Sequence, residues 1–205
     1  PALGPAIEAS ARVLVAFDGS GSTSGSFKYH GRTQEIVAQF ADAAVLHWHS
    51  DAALISLPEL AAINARRAGM GGTQPSLIAQ HAVETDFHDH LVIITDGEVD
   101  QSEVDECGRI LGSEYVFASV TTHLIGSRAS MNLSVPCPFT RASPHTVVLH
   151  DTSADGAVPT EVLSAVSADD LAILARVEEV ASREEFEAMA EALERAVVAR
   201  TPPRQ

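Results

Sequence analysis

The chain has 205 residues, of which 45% are hydrophobic, and it carries two cysteines and a formal net charge of −15. That much apolar chain can bury a substantial single core without a disulfide or metal staple, and two cysteines are too few for a secreted disulfide scaffold, so Cys107 and Cys137 read as free thiols. The charge, with no Lys/Arg cluster against it, argues against DNA or RNA as a partner; the apolar runs fall short of the ~20 residues of a membrane span, and the amino terminus lacks a basic segment followed by a hydrophobic one.

Residues 12–18 form the first expected strand, around the apolar run Val13 to Phe17, and a Ser/Gly loop follows it. A helix is expected at about 33–41, with Ile36, Val37 and Phe40 on its apolar side. Ala43 to His49 and Ala52 to Leu57 read as a strand pair around the turn Ser50-Asp51. A short helix near 59–67 leads to the loop Gly69-Met70-Gly71-Gly72, which delivers Thr73. Pro75 suits the first turn of the next helix, about 75–84. A strand from Leu91 to Thr95 ends at Asp96, and a helix near 101–111 follows.

The next strand is placed from Tyr115 to about Thr121, then a long Ser/Pro/Asn-rich loop over 126–145 and a last strand from Thr146 to His150. Asp151 to Pro159 reads as a polar linker. Two helices, about 168–180 and 183–200, close the chain; the second opens on the capping box Ser182-Arg-Glu-Glu185 and carries the stripe Phe186, Met189, Leu193 and Val197. Alternating strands and helices indicate one α/β domain over 1–205, with its core at about 10–150 and the carboxy-terminal helices at about 160–200. The expected architecture is Rossmann-like and doubly wound: a mostly parallel sheet with one antiparallel edge strand and helices on both faces.

Three separated segments carry the chemistry: Asp18-Gly-Ser20-Gly-Ser22, Gly71-Gly-Thr73 and Thr95-Asp96-Gly97. Ligands of open parallel sheets bind at the carboxyl ends of strands, so two strands ending in Asp18 and Asp96 bring both carboxylates to one edge. With the hydroxyls of Ser20, Ser22 and Thr73 they form an all-oxygen donor set, which suits Mg²⁺ or Mn²⁺ and disfavours zinc or copper. The same loop lacks the ending of a phosphate-binding P-loop, and Thr23 stands where a nucleophile elbow needs serine.

This pattern resembles the metal-ion-dependent adhesion site (MIDAS) of von Willebrand factor type A (VWA) domains: an Asp-x-Ser-x-Ser run, a separate Thr, and a later Asp inside Thr-Asp-Gly. All five positions match, as Asp18, Ser20, Ser22, Thr73 and Asp96. The expected antiparallel strand after the second strand agrees with that fold. The resemblance implies binding rather than catalysis, with the metal accepting a Glu or Asp from a partner protein. Gly19, Gly72, Gly97 and Glu98 are then the rim that the partner touches. It also implies an adaptor, and the lack of disulfides and of a signal segment favours a cytoplasmic one.

Two other functions stay open from the residues alone. One is a metal-dependent hydrolase using the same carboxylates, with Glu98 or His123 as general base. The other is an assembly module built on the carboxy-terminal helices. The acidic run Asp96, Glu98, Asp100, Glu103, Asp105 and Glu106 would raise the local cation concentration, and it also suits a helix start. His47 and His49 share one strand face and, with His88 and His90, raise a zinc alternative, although no further ligand is aligned with them.

Overall fold

All of β1 (Val13–Asp18) beyond its first residue is buried, the pattern of a strand covered on both faces. The computed structural model describes residues 12–40, 42–126 and 130–151, and the strand 160–164 as backbone. β1 lies within a seven-stranded sheet ordered β3-β2-β1-β4-β5-β6-β7. The others are β2 (Ala44–Trp48), β3 (Ala52–Ile55), β4 (His90–Thr95), β5 (Ser119–Ile125), β6 (Thr146–Asp151) and β7 (Thr160–Ser164). β2, β1, β4, β5 and β6 run parallel, and β3 pairs antiparallel with β2 at one edge. The α/β class and the antiparallel edge strand are as the sequence indicates. β7, antiparallel to β6, adds a second such edge.

Because successive strand residues point to opposite faces, the core divides into two layers. Val15 and Phe17 of β1, Val45 of β2 and Val92 and Ile94 of β4 meet Tyr29, Ile36 and Val37 of α1 (Phe27–Val37) and Leu60 of α2 (Leu57–Arg66). On the other face Leu14, Ala16, Leu46, Trp48, Leu91 and Ile93 pack on α3 (Ser76–Glu84), α4 (Gln101–Leu111) and α5 (Cys137–Arg141). Both cysteines are buried and free. Among the described residues, no helix is long and apolar enough to cross a membrane.

Besides shifts of about two residues in α2 and β3, three larger differences from the sequence reading stand out. α1 occupies 27–37 rather than 33–41: the Ser26 side chain caps it by accepting from Tyr29 N, and its buried face mixes His30 and Thr33 with Tyr29, Ile36 and Val37. Apolar periodicity alone registers only the second half of that face. β5 starts at Ser119 rather than Tyr115, because Tyr115 and Phe117 pack on the core from a loop, with Phe117 N donating to Ala142 O. The long loop at 126–145 contains α5, whose first turn tolerates proline because its N–H groups have no helical partner. The expected helices at 168–180 and 183–200, the Ser182–Glu185 capping box and the stripe from Phe186 to Val197 lie outside the described residues, as do linker positions 152–159.

Candidate metal centre

β1 and β4 are adjacent and parallel, in register from Val13 opposite His90 to Phe17 opposite Ile94, so their carboxyl ends reach the same sheet edge. The buried Tyr29 hydroxyl, reaching back from α1, lies 2.8 Å from Asp18 O and 3.0 Å from Ile94 O and ties the two strand ends together. Gly19 N donates to Trp48 O at 2.8 Å, which extends the tie to β2. Gly19 runs so close to β2 that a Cβ there would fall on the His47 imidazole, so a larger residue must displace that ring.

Inside this frame Asp18 is held at both oxygens. Oδ1 accepts from Ser20 N at 2.9 Å, and Oδ2 accepts from Thr95 Oγ1 at 2.6 Å. Thr95 Oγ1 in turn accepts from Gly97 N at 3.0 Å. The Ser20 and Ser22 hydroxyls are 3.0 Å apart, Ser22 hydrogen-bonds the Asp96 carboxylate, and Asp96 Oδ1 accepts from Glu98 N at 3.0 Å. Gly97 takes a left-handed φ of 77° under Met131, which turns the chain away just after Asp96.

The middle segment joins through its backbone. Met70 N donates to Gly19 O at 2.8 Å, and Gly21 N donates to Gly71 O at 3.2 Å. Thr73 is half-buried and, with Gly72, Glu98, Val99, Asp100 and Ser130, lines a cavity of about 450 Å³. The structure therefore interlocks Asp18, Ser20, Ser22 and Asp96 with Gly19, Gly97 and Glu98, and sets Gly72 and Thr73 on a cavity wall shared with Glu98.

Burial governs the electrostatics. It pushes the Asp18 carboxyl up to about 7, with the charge of Asp96 adding, against the opposing hydrogen bonds from Thr95 and Ser20. Asp96 is raised as well, mainly by burial, with Glu98 adding to the effect. The Tyr29 hydroxyl rises far above its usual range through burial and the two nearby carboxylates. Among the described residues, no Lys or Arg forms an ion pair with Asp18 or Asp96. Two buried carboxylates without a counter-cation, beside serine hydroxyls, fit a hard divalent ion.

The histidines singled out in the sequence fall elsewhere. His47 and His49 sit at the carboxyl end of β2, whereas His88 and His90 lie at the start of β4, the opposite end of the sheet. Among the described residues, no three His, Cys, Asp or Glu side chains gather as a metal cluster, so the four histidines do not form a zinc site. His123 sits beside Ile94 in the β4–β5 register, and burial plus the Arg32 charge lower it to about 4, against an opposing pull from Asp151. Sequence reasoning misses Tyr29 as part of the site and names Thr95 in the third segment without a role for its hydroxyl. Thr95 is legible as a hydroxyl at a strand end, but Tyr29 is hidden by the late placement of α1.

No family model matches the chain, and no curated protein matches it. Among solved structures the chain is similar to the pyridoxal kinase from Lactobacillus plantarum, at 12% identity and a TM-score of 0.23 over 93% of this chain and 88% of that one. At that TM-score the likeness carries no argument about fold or function.

Proposed function

We propose that this chain is a divalent-metal-dependent protein-binding domain of the VWA kind, with Asp18, Ser20, Ser22, Thr73 and Asp96 as its MIDAS residues and Mg²⁺ or Mn²⁺ as its ion. The observation that carries this reading is the buried pair Asp18 and Asp96, the first bonded by Thr95 and the second by Ser22, with no Lys or Arg paired to either among the described residues. Such a pair costs folding energy unless a cation or proton neutralises it. The antiparallel β3, directly after β2 at the sheet edge, supports the same reading. When bound, the ion supplies a coordination position that a carboxylate from a partner protein can fill.

The residues of the chain then divide the work. Thr95 and the Ser20 amide orient Asp18, Glu98 N orients Asp96, and Tyr29 holds the two strand ends at a constant separation. Gly72, Thr73 and Glu98 border the approach. The partner is expected to contribute a Glu or Asp, and the setting expected from the sequence is a cytoplasmic adaptor.

A thermal melt with and without magnesium tests this. Ligand that binds only the folded state adds about 2.7 kcal/mol at a hundredfold excess over Kd. Wild type should melt higher with Mg²⁺, and Asp18→Asn should not respond. An equal rise in both proteins would remove the site.

A further inference from the structure

The loops that carry the candidate metal residues also expose a second feature. Phe27 and Met70 are 77% and 62% exposed, the largest exposures among the large hydrophobic side chains of the described residues. Phe27 follows the 19–25 loop and Met70 lies in the loop that delivers Thr73; the two loops are joined by Met70 N donating to Gly19 O and by Gly25 N donating to Arg67 O at 3.0 Å. Arg67, at the head of the second loop, holds its guanidinium 3.5 Å from the centroid of the Phe27 ring.

Arg67 caps α2 in the left-handed region, at φ 50° and ψ 45°, where glycine is the residue most easily accommodated. The guanidinium lies over the Phe27 ring, and among the described residues no carboxylate pairs with Arg67. An unpaired cation held beside the metal loops complements a carboxylate of a partner locally, against the net charge of −15.

We infer that Phe27, Arg67 and Met70 form a second recognition contact beside the metal site, taking a protein segment with two carboxylates and an apolar residue between them. One carboxylate meets the ion, the other meets the Arg67 edge, and the apolar side chain covers Phe27 and Met70. This rests on the metal-site reading above. Aromatic, Arg and Met side chains are the types that dominate binding energy at such surfaces, and charge-assisted bonds to guanidinium supply orientation.

The test uses the full chain and the synthetic peptide amides acetyl-Glu-Leu-Asp and its forms with two and three leucines, titrated calorimetrically after magnesium. In wild type at least one peptide should bind only with Mg²⁺, and acetyl-Gln-Leu-Asn should not bind. Arg67→Gly, which the left-handed backbone accepts without strain, should hold the melting temperature yet weaken the peptide about tenfold, the factor of one charge-assisted hydrogen bond. Phe27→Ser and Met70→Ser should each weaken it severalfold. Peptide binding that EDTA abolishes but Arg67→Gly and Phe27→Ser leave unchanged would overturn this contact while the metal site stands. Absence of any magnesium heat, seen before a peptide is added, would overturn both.

Discussion

The two ends of the sheet use the same residue types in opposite ways. At the amino end Arg12 pairs with Asp89, at side-chain exposures of 60% and 33%, and His88 pairs with Asp86, drawn upward in pKa by its bonds to Val116 O and Asp86. At the carboxyl end Asp18 and Asp96 are 0% and 8% exposed, with no basic side chain paired to either among the described residues. Exposed pairs are screened and contribute little, whereas buried unpaired charges are expensive. The second arrangement carries a cost that a proton or a bound cation relieves, which is what the proposed site rests on.

The largest expected effect breaks that contrast directly. The Asp18 carboxyl is raised from 3.8 to about 7, so the folded state favours its protonated form. Stability from this group is present below pH 4 and is lost as pH rises through about 7, a change of about 4 kcal/mol. Asp96 shifts in the same direction. In EDTA the urea midpoint of wild type should therefore fall between pH 5 and pH 8. Asp18→Asn, neutral throughout, should flatten most of that slope; an unchanged slope would show that Asp18 is not the costly charge.

A smaller effect probes how the site loop is seated. Gly19→Ala drives a methyl into the His47 ring, which is stacked on Phe17 at 5.4 Å and 20°. Overpacking of this kind costs about 1–3 kcal/mol. His47→Ala should recover most of the loss in the double variant, read as a coupling energy from urea titrations. Strictly additive losses would mean that the loop, not the ring, sets the limit.

At the amino end the expected effect is the smallest. Arg12→Ala removes an exposed ion pair with Asp89 and a guanidinium 5.2 Å from the Phe87 ring centroid, together about 1 kcal/mol or less. The loss should shrink further in 0.5 M salt, a condition of roughly 4 Å screening length. A loss as large as that of Gly19→Ala would erase the distinction between the two ends.

Much of this arrangement is legible in the sequence. The apolar runs before Asp18 and Asp96 mark β1 and β4 almost to the residue, and α3 and α4 follow their predicted spans within a residue. α2 carries its own signal, since Ser56 and Glu59 form a capping box; apolar spacing places its start two residues late. α1 is harder to read because two of its five buried residues, His30 and Thr33, are polar. His30 bonds Thr23 O and Asn64, and Thr33 bonds Tyr29 O, so neither registers as apolar. β5 is misplaced because the aromatics Tyr115 and Phe117 have strand propensity yet serve as core residues of a loop.

By itself the sequence determined the alternation of strands and helices, the order of the three motif segments and the oxygen character of their side chains, because these are local matters of periodicity and residue type. The tertiary structure decided what those side chains experience. Only packing could bring Tyr29 under the ends of β1 and β4, set Thr95 against Asp18, press Gly19 onto His47, lay Arg67 over Phe27 and add β7 at the far edge. The depth at which Asp18 is buried, and hence its high pKa, depends on residues from β1, β4 and α1 together. Desolvation and through-space charge belong to the assembled fold, and no stretch of chain read alone contains them.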